Sequence, residues 1–513
     1  MTAETYLARN QSDILEVIAN LSNEVIFTPP RVVNALLDML PVEIWSNPSL
    51  RWLDPGSKSG AFPREITKRL MVGLSASIPD ERARLKHILR DMVFAIATEE
   101  VTAMMTRRTL YCSRDASSQY SIVKFPSSQG NVWWQHVNHA WGSDARCTEC
   151  RGTRSQLVQP GQDNKAYSFI HADGIKQLSK EMNMKFDVIV GNPPYQMNDG
   201  GGEGAGAVPL YHTFVEEAKR LNPKYISMII PARWYSGGKG LDEFRDSMLK
   251  DTRLAELHDF PETEMVFPGI NIRGGVCYFL WAHDHSGDAR ITNHSKSGPP
   301  ITSIRPLLET GLTTFVRYNE ALSILAKVRN KGEATYEKRV QSRNPYGIPS
   351  NFEAYSTKKT SDARILLYRS RRGNSEDKQV YVRPDQIKTN FEFSNKHKVL
   401  VSKASPGGDE YPHAIFSKPF VAGPKSVSTE TYLIVDFVSS VEEGENLVAY
   451  MNTQFFRFLV SLIKNTQNIS KASFAFVPIL DLSVTWTDEE LYKRYGITDK
   501  EQDFIDSMIK RTP

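Results

Sequence analysis

The sequence has few cysteines and no long apolar run. Four cysteines in 513 residues are too few for a disulfide scaffold and favour a reducing compartment, so we expect a cytoplasmic protein. No apolar run reaches the roughly 18 residues that a membrane span needs. Residues 1–23 are too polar for a signal peptide. These absences exclude secreted disulfide-rich and membrane classes, and the length predicts about two to four domains.

Positive charge is concentrated in one part of the chain. The formal net charge of +4 divides into −2 for residues 1–290, +10 for 291–430 and −4 for 431–513. The middle block has the charge expected of a surface that meets nucleic-acid phosphates. Its densest stretch supplies three candidate DNA-binding residues, Arg369, Arg371 and Arg372. A solvated charged face is the alternative for this short run.

A predicted strand at Phe186–Val190 ends in the sequence Gly191-Asn-Pro-Pro-Tyr195. Four of the five strand residues are β-branched or aromatic, as in a strand buried in a parallel sheet. Open α/β sheets bind ligands at the carboxyl edge, where this loop must lie. The prolines leave carbonyls able to accept, Asn192 offers a side-chain acceptor, and Tyr195 offers a flat face. The loop predicts a site for an exocyclic amino group on a planar ring, with a plain turn as the alternative.

A second motif lies upstream at residues 51–62, which read Arg-Trp-Leu-Asp-Pro-Gly-Ser-Lys-Ser-Gly-Ala-Phe. It predicts a short strand, a turn of small residues and a helix over Pro63–Leu74. This is the layout of a nucleotide-type cofactor loop, in which backbone N–H groups at a helix N-terminus face the ligand.

The two motifs, in this order, resemble those of the adenine-N6 DNA methyltransferases. Residues 192–195 match the catalytic loop of that family. Asp54, Gly60 and Phe62 match its S-adenosylmethionine loop, usually Asp-Pro-x-x-Gly-Ser-Gly-x-Phe. Lys58 stands where a glycine is usual, and it could instead pair with the cofactor's carboxylate. The order of the motifs is similar to the γ arrangement of these enzymes.

The resemblance implies roles for four further residues. Thr28 would pack over the methionine moiety of the cofactor, with helix capping as the alternative. Glu99 would accept from the ribose hydroxyls, with Glu100 as the alternative. Asp173 would contact the cofactor's adenine, or act only in a turn. Phe267 would lie against the extruded base, or belong to the core.

The resemblance also implies direct methyl transfer to a flipped-out base. Asn192 and the Pro193 carbonyl would accept the two amino hydrogens of the target adenine, within a loop that Pro194 helps to keep rigid. Tyr195, with Phe267, would stack on the base and offset the cost of unstacking it. Positioning and electrostatics would supply most of the catalysis, without a strong general base.

A metal-binding insert is predicted between the second and third strands, placed at Val93–Ala97 and Tyr167–Ile170. About seventy residues separate these strands, far more than a crossover needs. They contain a ligand set that suits tetrahedral structural zinc: Cys112, His139, Cys147 and Cys150. His136 competes with His139, and thiols without a metal remain an alternative. His-x-Trp followed by Cys-x-x-Cys is also similar to an insert in one subgroup of these methyltransferases.

We therefore predict an α/β protein with a Rossmann-like S-adenosylmethionine-dependent methyltransferase domain at 1–290 and a zinc-binding insert at about 111–155. A basic, mixed α/β target-recognition domain is expected at 291–440, because short β-type runs there alternate with turn clusters. A helical segment is expected at 441–513.

The predicted activity is site-specific methylation of adenine N6 in double-stranded DNA, as the modification component of a restriction-modification system. We see no carboxylate-lysine constellation typical of a nuclease, so a separate restriction endonuclease is the expected companion, and no membrane partner is expected. Two alternatives remain: a protein glutamine-N5 methyltransferase, which shares Asn-Pro-Pro-Tyr, and a DNA-specificity protein with an inactive methylase domain.

Overall fold

The computed structural model describes residues 26–153, 165–171, 185–195, 209–238, 240–296, 298–369, 380–404, 412–463 and 468–511. The chain forms two compact units, Met1–Thr310 and Gly311–Pro513, called here the N-terminal and C-terminal units. Among the helices in the described ranges, none combines the length and the apolar character needed to cross a membrane.

The N-terminal unit is built on a nine-stranded sheet. The unit has eleven strands in its described residues, nine in this sheet and two, β4 and β5, in a separate pair: β1 (Trp52–Ser57), β2 (Val93–Ala97), β3 (Val132–Trp133), β4 (Val137–Asn138), β5 (Lys165–Ala166), β6 (Val188–Gly191), β7 (Tyr225–Pro231), β8 (Leu254–Phe260), β9 (Val276–Ala282), β10 (Ala289–Ser295) and β11 (Gly298–Arg305). The order across the sheet is β3-β2-β1-β6-β7-β9-β8-β10-β11, and β4 pairs only with β5. Strand β9 runs antiparallel to both β7 and β8, and β11 antiparallel to β10.

The helices of this unit are α1 (Pro30–Asp38), α2 (Ala61–Gly73), α3 (Glu81–His87), α4 (Glu100–Tyr111), α5 (Tyr211–Arg220) and α6 (Asp242–Lys250). Helices α1 and α2 share one hydrophobic core with alternate residues of the central strands, including Trp52, Val93 and Val188. Alternate residues of a strand point to the same face, so one side of the sheet packs on these helices. Burial of each large apolar side chain there stabilises the fold by roughly 1.5–3 kcal/mol.

The third strand of the sheet is not the one predicted. Residues 168–170 form a turn, and β3 takes the place beside β2. The apolar character that suggested a strand is used in packing instead: Phe169 is buried and stacks on Phe214 of α5 at a centroid distance of 5.5 Å. A short apolar run can therefore be buried without joining the hydrogen-bonded ladder.

The C-terminal unit contains two small sheets. Its strands are β12 (Ile365–Tyr368), β13 (Val380–Val382), β14 (His397–Ser402), β15 (Phe420–Ala422), β16 (Ser426–Ser428) and β17 (Tyr432–Val438). The orders are β13-β12-β16 and β15-β14-β17. A shared apolar core joins the two sheets, with Leu367, Leu400 and Ile434 among its buried residues.

The helices of the C-terminal unit are α7 (Ala321–Arg329), α8 (Val441–Asn452), α9 (Gln454–Ser461), α10 (Asp488–Tyr495) and α11 (Asp499–Met508). Helix α8 packs on β14 and β15, so the segment from 441 onward belongs to this unit. The predicted boundary at 290/291 also shifts, since β10 and β11 extend the sheet of the N-terminal unit and the units divide after Thr310.

Candidate functional site: a cofactor cavity beside the Asn-Pro-Pro-Tyr loop

The two sequence motifs meet at the point where the strand order of the sheet reverses. Strand β1 is parallel to β2 on one side and to β6 on the other. From β1 the chain builds outward through β2 and β3, and it then returns to build the other half from β6. The loops after β1 and β6 therefore flank the crevice in which open α/β sheets bind ligands.

The loop after β1 turns sharply into helix α2. Gly60 precedes the helix with a φ of 78°, a conformation that glycine adopts without a steric penalty. The hydroxyl of Thr109 donates to the Ser59 carbonyl at 2.7 Å and fastens the turn to α4. The N-terminus of α2 then faces the crevice with Ala61 and Phe62, where its backbone dipole favours a negative group.

Two glycines allow the loops to approach each other closely. A Cβ added to Gly191 would lie 2.9 Å from Asp54 Oδ1. A Cβ added to Gly56 would lie 3.3 Å from both the Asn192 carbonyl oxygen and Pro193 Cα. The cofactor-type loop and the Asn-Pro-Pro-Tyr loop are therefore packed backbone against backbone.

A small cavity of about 20 Å³ lies between the loops. Its lining residues are Thr28, Asp54, Gly56, Lys58, Ser59, Ala61, Phe62 and Asn192. Five of these, Thr28, Asp54, Lys58, Phe62 and Asn192, were predicted from the sequence as site residues, and Gly60 adjoins them at the turn. Gly56, Ser59 and Ala61 were not singled out, because small residues of a turn carry no side-chain chemistry that would mark them.

Asp54 and Lys58 both line this cavity, and burial shifts the pKa of each side chain. Asp54 is 2% exposed and accepts from the Gly56 N–H at 3.2 Å. Burial raises the pKa of Asp54 to about 7, although hydrogen bonds from Ser57 and Gly56 and the nearby Lys58 act in the other direction. Burial likewise lowers the pKa of Lys58 to about 8, against the attraction of Asp54.

Asn192 presents an unused acceptor to the crevice. Its side chain is buried, and Nδ2 donates to Thr28 Oγ1 at 3.0 Å, while Oδ1 is buried without a hydrogen-bond partner in the described part of the chain. Pro193 and Pro194 are buried beside it. Tyr195 is partly buried, and burial raises the pKa of its phenol well above the ordinary value.

The structure does not bring Phe267 to this cavity. Its ring is 1% exposed and belongs to the core that α1 and α2 share with the sheet. The Phe267 N–H donates to the Thr263 carbonyl at 2.8 Å, which fixes the backbone of this turn. In this conformation the ring has no face open to a base, so the alternative interpretation of Phe267 as a core residue applies.

Two predicted cofactor contacts remain to be placed, Glu99 and Asp173. Glu99 follows β2 at the carboxyl edge, as predicted, and its backbone N–H donates to Thr102 Oγ1 at 2.9 Å where α4 begins. It is not among the residues that line the cavity. Asp173 lies outside the described residues.

A second group of candidate functional side chains lies in and beside the predicted insert. Four buried residues, His139, Cys147, Cys150 and His171, place one ligand atom each so that all lie within 4.8 Å of one another. Three of these distances are short. His139 Nδ1 lies 3.2 Å from His171 Nε2 and 3.4 Å from Cys150 Sγ, and His171 Nε2 lies 3.7 Å from Cys147 Sγ.

One member of the predicted ligand set does not join this group. Cys112 is exposed, ends helix α4 in a left-handed conformation, and lies outside the group that His171 completes. His171 Nδ1 contacts the Tyr167 carbonyl at 2.7 Å, so Nδ1–H donates there and leaves the Nε2 lone pair facing the other three residues. Sequence reasoning missed His171 because it follows the segment that was taken for the third strand.

Of the three candidate DNA-binding arginines, one is described. The guanidinium of Arg369 lies 4.2 Å from the ring centroid of Tyr355, directly after β12 in the C-terminal unit. Arg371 and Arg372 lie outside the described residues.

Comparison with known proteins finds one family, one curated protein and several solved structures to which the chain is similar. Residues 91–267 match the family of Eco57I restriction-modification methylases. An uncharacterized adenine-specific methylase of Mycoplasma pneumoniae is 38% identical over 313 residues, which cover 56% of this chain and 74% of that protein. Among solved structures, the Type IIL restriction-modification enzyme MmeI in complex with DNA has a TM-score of 0.46 at 11% identity, covering 91% of this chain and 67% of that one. A DrdV–DNA complex has a TM-score of 0.44 at 12% identity, covering 94% and 57%.

Proposed function

Because this chain belongs to the adenine-specific methylases of restriction-modification systems, we propose that it transfers a methyl group from S-adenosylmethionine to N6 of an adenine flipped out of duplex DNA. The observation that carries the proposal is the buried, unpartnered Oδ1 of Asn192 beside the cavity. A buried acceptor without a donor costs free energy, so a substrate that brings an N–H donor gains from meeting it.

The reacting nitrogen would be held by the Asn-Pro-Pro-Tyr loop. Asn192 Oδ1 and the Pro193 carbonyl accept the two amino hydrogens and direct the nitrogen lone pair toward the cofactor. Bound S-adenosylmethionine supplies an electrophilic methyl group on a sulfonium. The nitrogen forms the new bond to carbon while the carbon–sulfur bond breaks, and one amino proton then leaves to water. Tyr195 stacks on the flipped base and offsets part of the unstacking cost, a few kcal/mol.

The cavity residues would hold the methionine end of the cofactor. Asp54 accepts from the ammonium group, Lys58 pairs with the carboxylate, and Phe62 and Thr28 pack against the chain between them. Glu99 accepts from the ribose hydroxyls through a carboxylate oxygen, since its position after β2 suits that contact. Asp173 would complete the set at the adenine.

We also propose that His139, Cys147, Cys150 and His171 bind one structural zinc ion. Tetrahedral zinc with bonds of about 2.0–2.3 Å separates its ligand atoms by roughly 3.3–3.8 Å. The separations of 3.2, 3.4 and 3.7 Å are close to those values. Four protein ligands leave no open position, so the ion would fasten the insert to the segment 165–171 rather than take part in methyl transfer.

In the cell, the chain would act in the cytoplasm on host DNA. The C-terminal unit carries most of the basic block and would supply the target-recognition surface for double-stranded DNA. A separate restriction endonuclease would be the companion enzyme that cleaves unmodified sites.

Tritiated S-adenosylmethionine and duplex DNA test the proposed reaction. Nucleoside analysis of the product should place the label in N6-methyladenine. Asn192→Ala should abolish transfer while DNA affinity is retained, because Asn192 acts on the amino group and not on phosphates. Label found in glutamine of an added protein, or near-normal turnover by Asn192→Ala, would contradict the assignment.

Elemental analysis of the purified chain tests the metal site, with Cys112 as the matched control. We expect one zinc per chain in the parent and in Cys112→Ser, and loss of zinc in His171→Ala and Cys147→Ser. Absence of zinc from Cys112→Ser together with its retention by His171→Ala would restore the ligand set predicted from the sequence and refute the one proposed here.

A further inference from the structure

The side-chain amide of Asn192 is held at one end by groups that precede helix α1. Nδ2 donates to Thr28 Oγ1 at 3.0 Å and lies 3.5 Å from the Ile26 carbonyl oxygen. Lys58 Nζ donates to the same Ile26 carbonyl at 3.1 Å. Thr28 is 8% exposed and Asn192 is 3% exposed, so solvent does not compete strongly for these contacts.

This arrangement decides which end of the amide faces the crevice. A primary amide carries an acceptor oxygen and a donor nitrogen on the same carbon, and rotation by 180° exchanges them. In the rotated form Oδ1 would face the Ile26 carbonyl, which can only accept, and Nδ2 would replace the acceptor needed by an amino substrate. The observed form instead leaves Oδ1 buried and, among the described residues, without a partner on the other side.

We propose that Thr28 is a positioning residue that orients the Asn192 amide for the reaction, with the Ile26 carbonyl as a second anchor kept in place by Lys58. This inference rests on the proposed function, since it assigns Asn192 Oδ1 to the reacting nitrogen. It gives Thr28 a role beyond packing on the cofactor. Lys58, which stands where a glycine is usual, also gains a second role, because its ammonium group keeps the Ile26 carbonyl in place.

The two roles of the Thr28 hydroxyl, contact with the cofactor and orientation of Asn192, predict different effects of its removal. If Thr28 only contacts the cofactor, its removal weakens cofactor binding and leaves the rate at saturation unchanged. If it holds the Asn192 amide beside the Ile26 carbonyl, which can only accept and so distinguishes the two ends of the amide, its removal lowers kcat because part of the population leaves that orientation. Removal of one hydrogen bond in a buried site predicts a fall in kcat of about tenfold.

Thr28→Val is the principal test variant, because valine keeps the shape and removes only the hydroxyl. Thr28→Ser is the matched control, because it keeps the hydroxyl and removes a methyl group. Rates would be measured with tritiated S-adenosylmethionine at saturation, and cofactor Kd by calorimetry. We expect kcat of Thr28→Val to fall about tenfold with cofactor Kd changed by less than about threefold, and Thr28→Ser to recover most of the rate.

Three results would overturn the proposal: an unchanged kcat in Thr28→Val, an effect confined to cofactor affinity, or an equal fall in kcat in the valine and serine variants. Should Thr28→Val fail to fold in a melting experiment, Thr28→Ala replaces it in the same comparison. The identity of the labelled product in the parent reaction tests the proposed function separately. If the label enters glutamine instead of adenine, the reaction assignment fails, while the effect of Thr28 is still measured on that amide acceptor.

Discussion

At the scale of single residues, the acid and the base in the cavity lie close to neutrality. Burial brings the pKa of Asp54 up to about 7 and that of Lys58 down to about 8. Asp54 must be ionised to accept from an ammonium group, and Lys58 must be protonated to pair with a carboxylate. The two requirements are best met together between these values.

We therefore predict that affinity for S-adenosylmethionine is greatest between about pH 7 and pH 8. Below this window Asp54 takes up a proton, and above it Lys58 releases one, so Kd rises on both sides, by up to tenfold per pH unit. Calorimetric titration across pH 5.5–9.5 (roughly the range that covers both limbs) would measure the profile.

Lys58→Arg provides the control for the alkaline limb. Arginine remains protonated over this range, so the alkaline rise in Kd should disappear while the acid limb stays. An alkaline limb that persists in Lys58→Arg would assign it to a group other than Lys58.

The placement of a residue could be predicted where the motif itself determines it. Asp54 lies in β1, Phe62 at the start of α2 and Asn192 directly after β6, and because β1 and β6 are neighbours in the sheet these residues meet at one edge. The place of Cys112 could not be predicted, because cysteine spacing does not show where a helix ends. His171 could have been found only if the segment before it had been interpreted as a turn.

At the scale of elements, the close approach of two loops depends on glycine. Gly191 ends β6 against Asp54 and Pro55, and a Cβ there would lie 2.9 Å from Asp54 Oδ1 and 3.3 Å from Pro55 Cδ. Carbon and oxygen do not approach so closely without a shift. The neighbour that must move is the buried carboxylate proposed to bind the cofactor.

Gly191→Ala is predicted to destabilise the protein by about 1–3 kcal/mol and to weaken cofactor binding at least tenfold, because overpacking displaces Asp54. Thermal unfolding and calorimetry would measure the two effects. Gly298→Ala in β11 is the matched control, since a Cβ there meets nothing within 4 Å. Equal behaviour of the two variants would show that the close approach at Gly191 is not required.

Element predictions were accurate where the hydrophobic pattern has one interpretation. Strand β2 has the predicted bounds, and the main sheet has the predicted α/β character. The helical segment expected at 441–513 contains the four separate helices α8, α9, α10 and α11. Gly496 adopts a left-handed conformation at the end of α10 and separates it from α11, a break that the helical pattern alone does not reveal.

At the scale of the whole molecule, the basic residues predicted to bind DNA and the candidate site for methyl transfer fall in different units. The cavity and the Asn-Pro-Pro-Tyr loop belong to the N-terminal unit, whereas Arg369 belongs to the C-terminal unit, and Arg371 and Arg372 fall within the sequence range of that unit. Phosphate binding and cofactor binding should therefore respond separately to substitution.

Neutralising the three arginines to glutamine is predicted to weaken DNA binding on all sequences alike. For every phosphate that the variant no longer binds, the slope of log affinity against log salt should fall by about 0.9, because fewer counterions are released. Cofactor affinity should not change. Titrations at several salt concentrations would measure the slope.

The control removes the same charge from exposed positions of the N-terminal unit, with Arg82, Lys86 and Lys124 changed to glutamine. This variant should keep the parent slope. An unchanged slope in the arginine variant, or a fall in its cofactor affinity, would show that the basic run is only a solvated surface.

The place of β1 in the sheet also constrains how the protein is made. Its two neighbours are β2 and β6, and Leu53 pairs with Ile189, a partner that the ribosome adds 136 residues later. Such distant pairings close slowly, because the chain between them must first be ordered. At a synthesis rate of about 5–20 residues per second, the edge of β1 that pairs with β6 stays unpaired for at least several seconds. An exposed strand edge of this kind invites pairing with other chains, so the interval before β6 emerges is when the nascent protein is most exposed to aggregation.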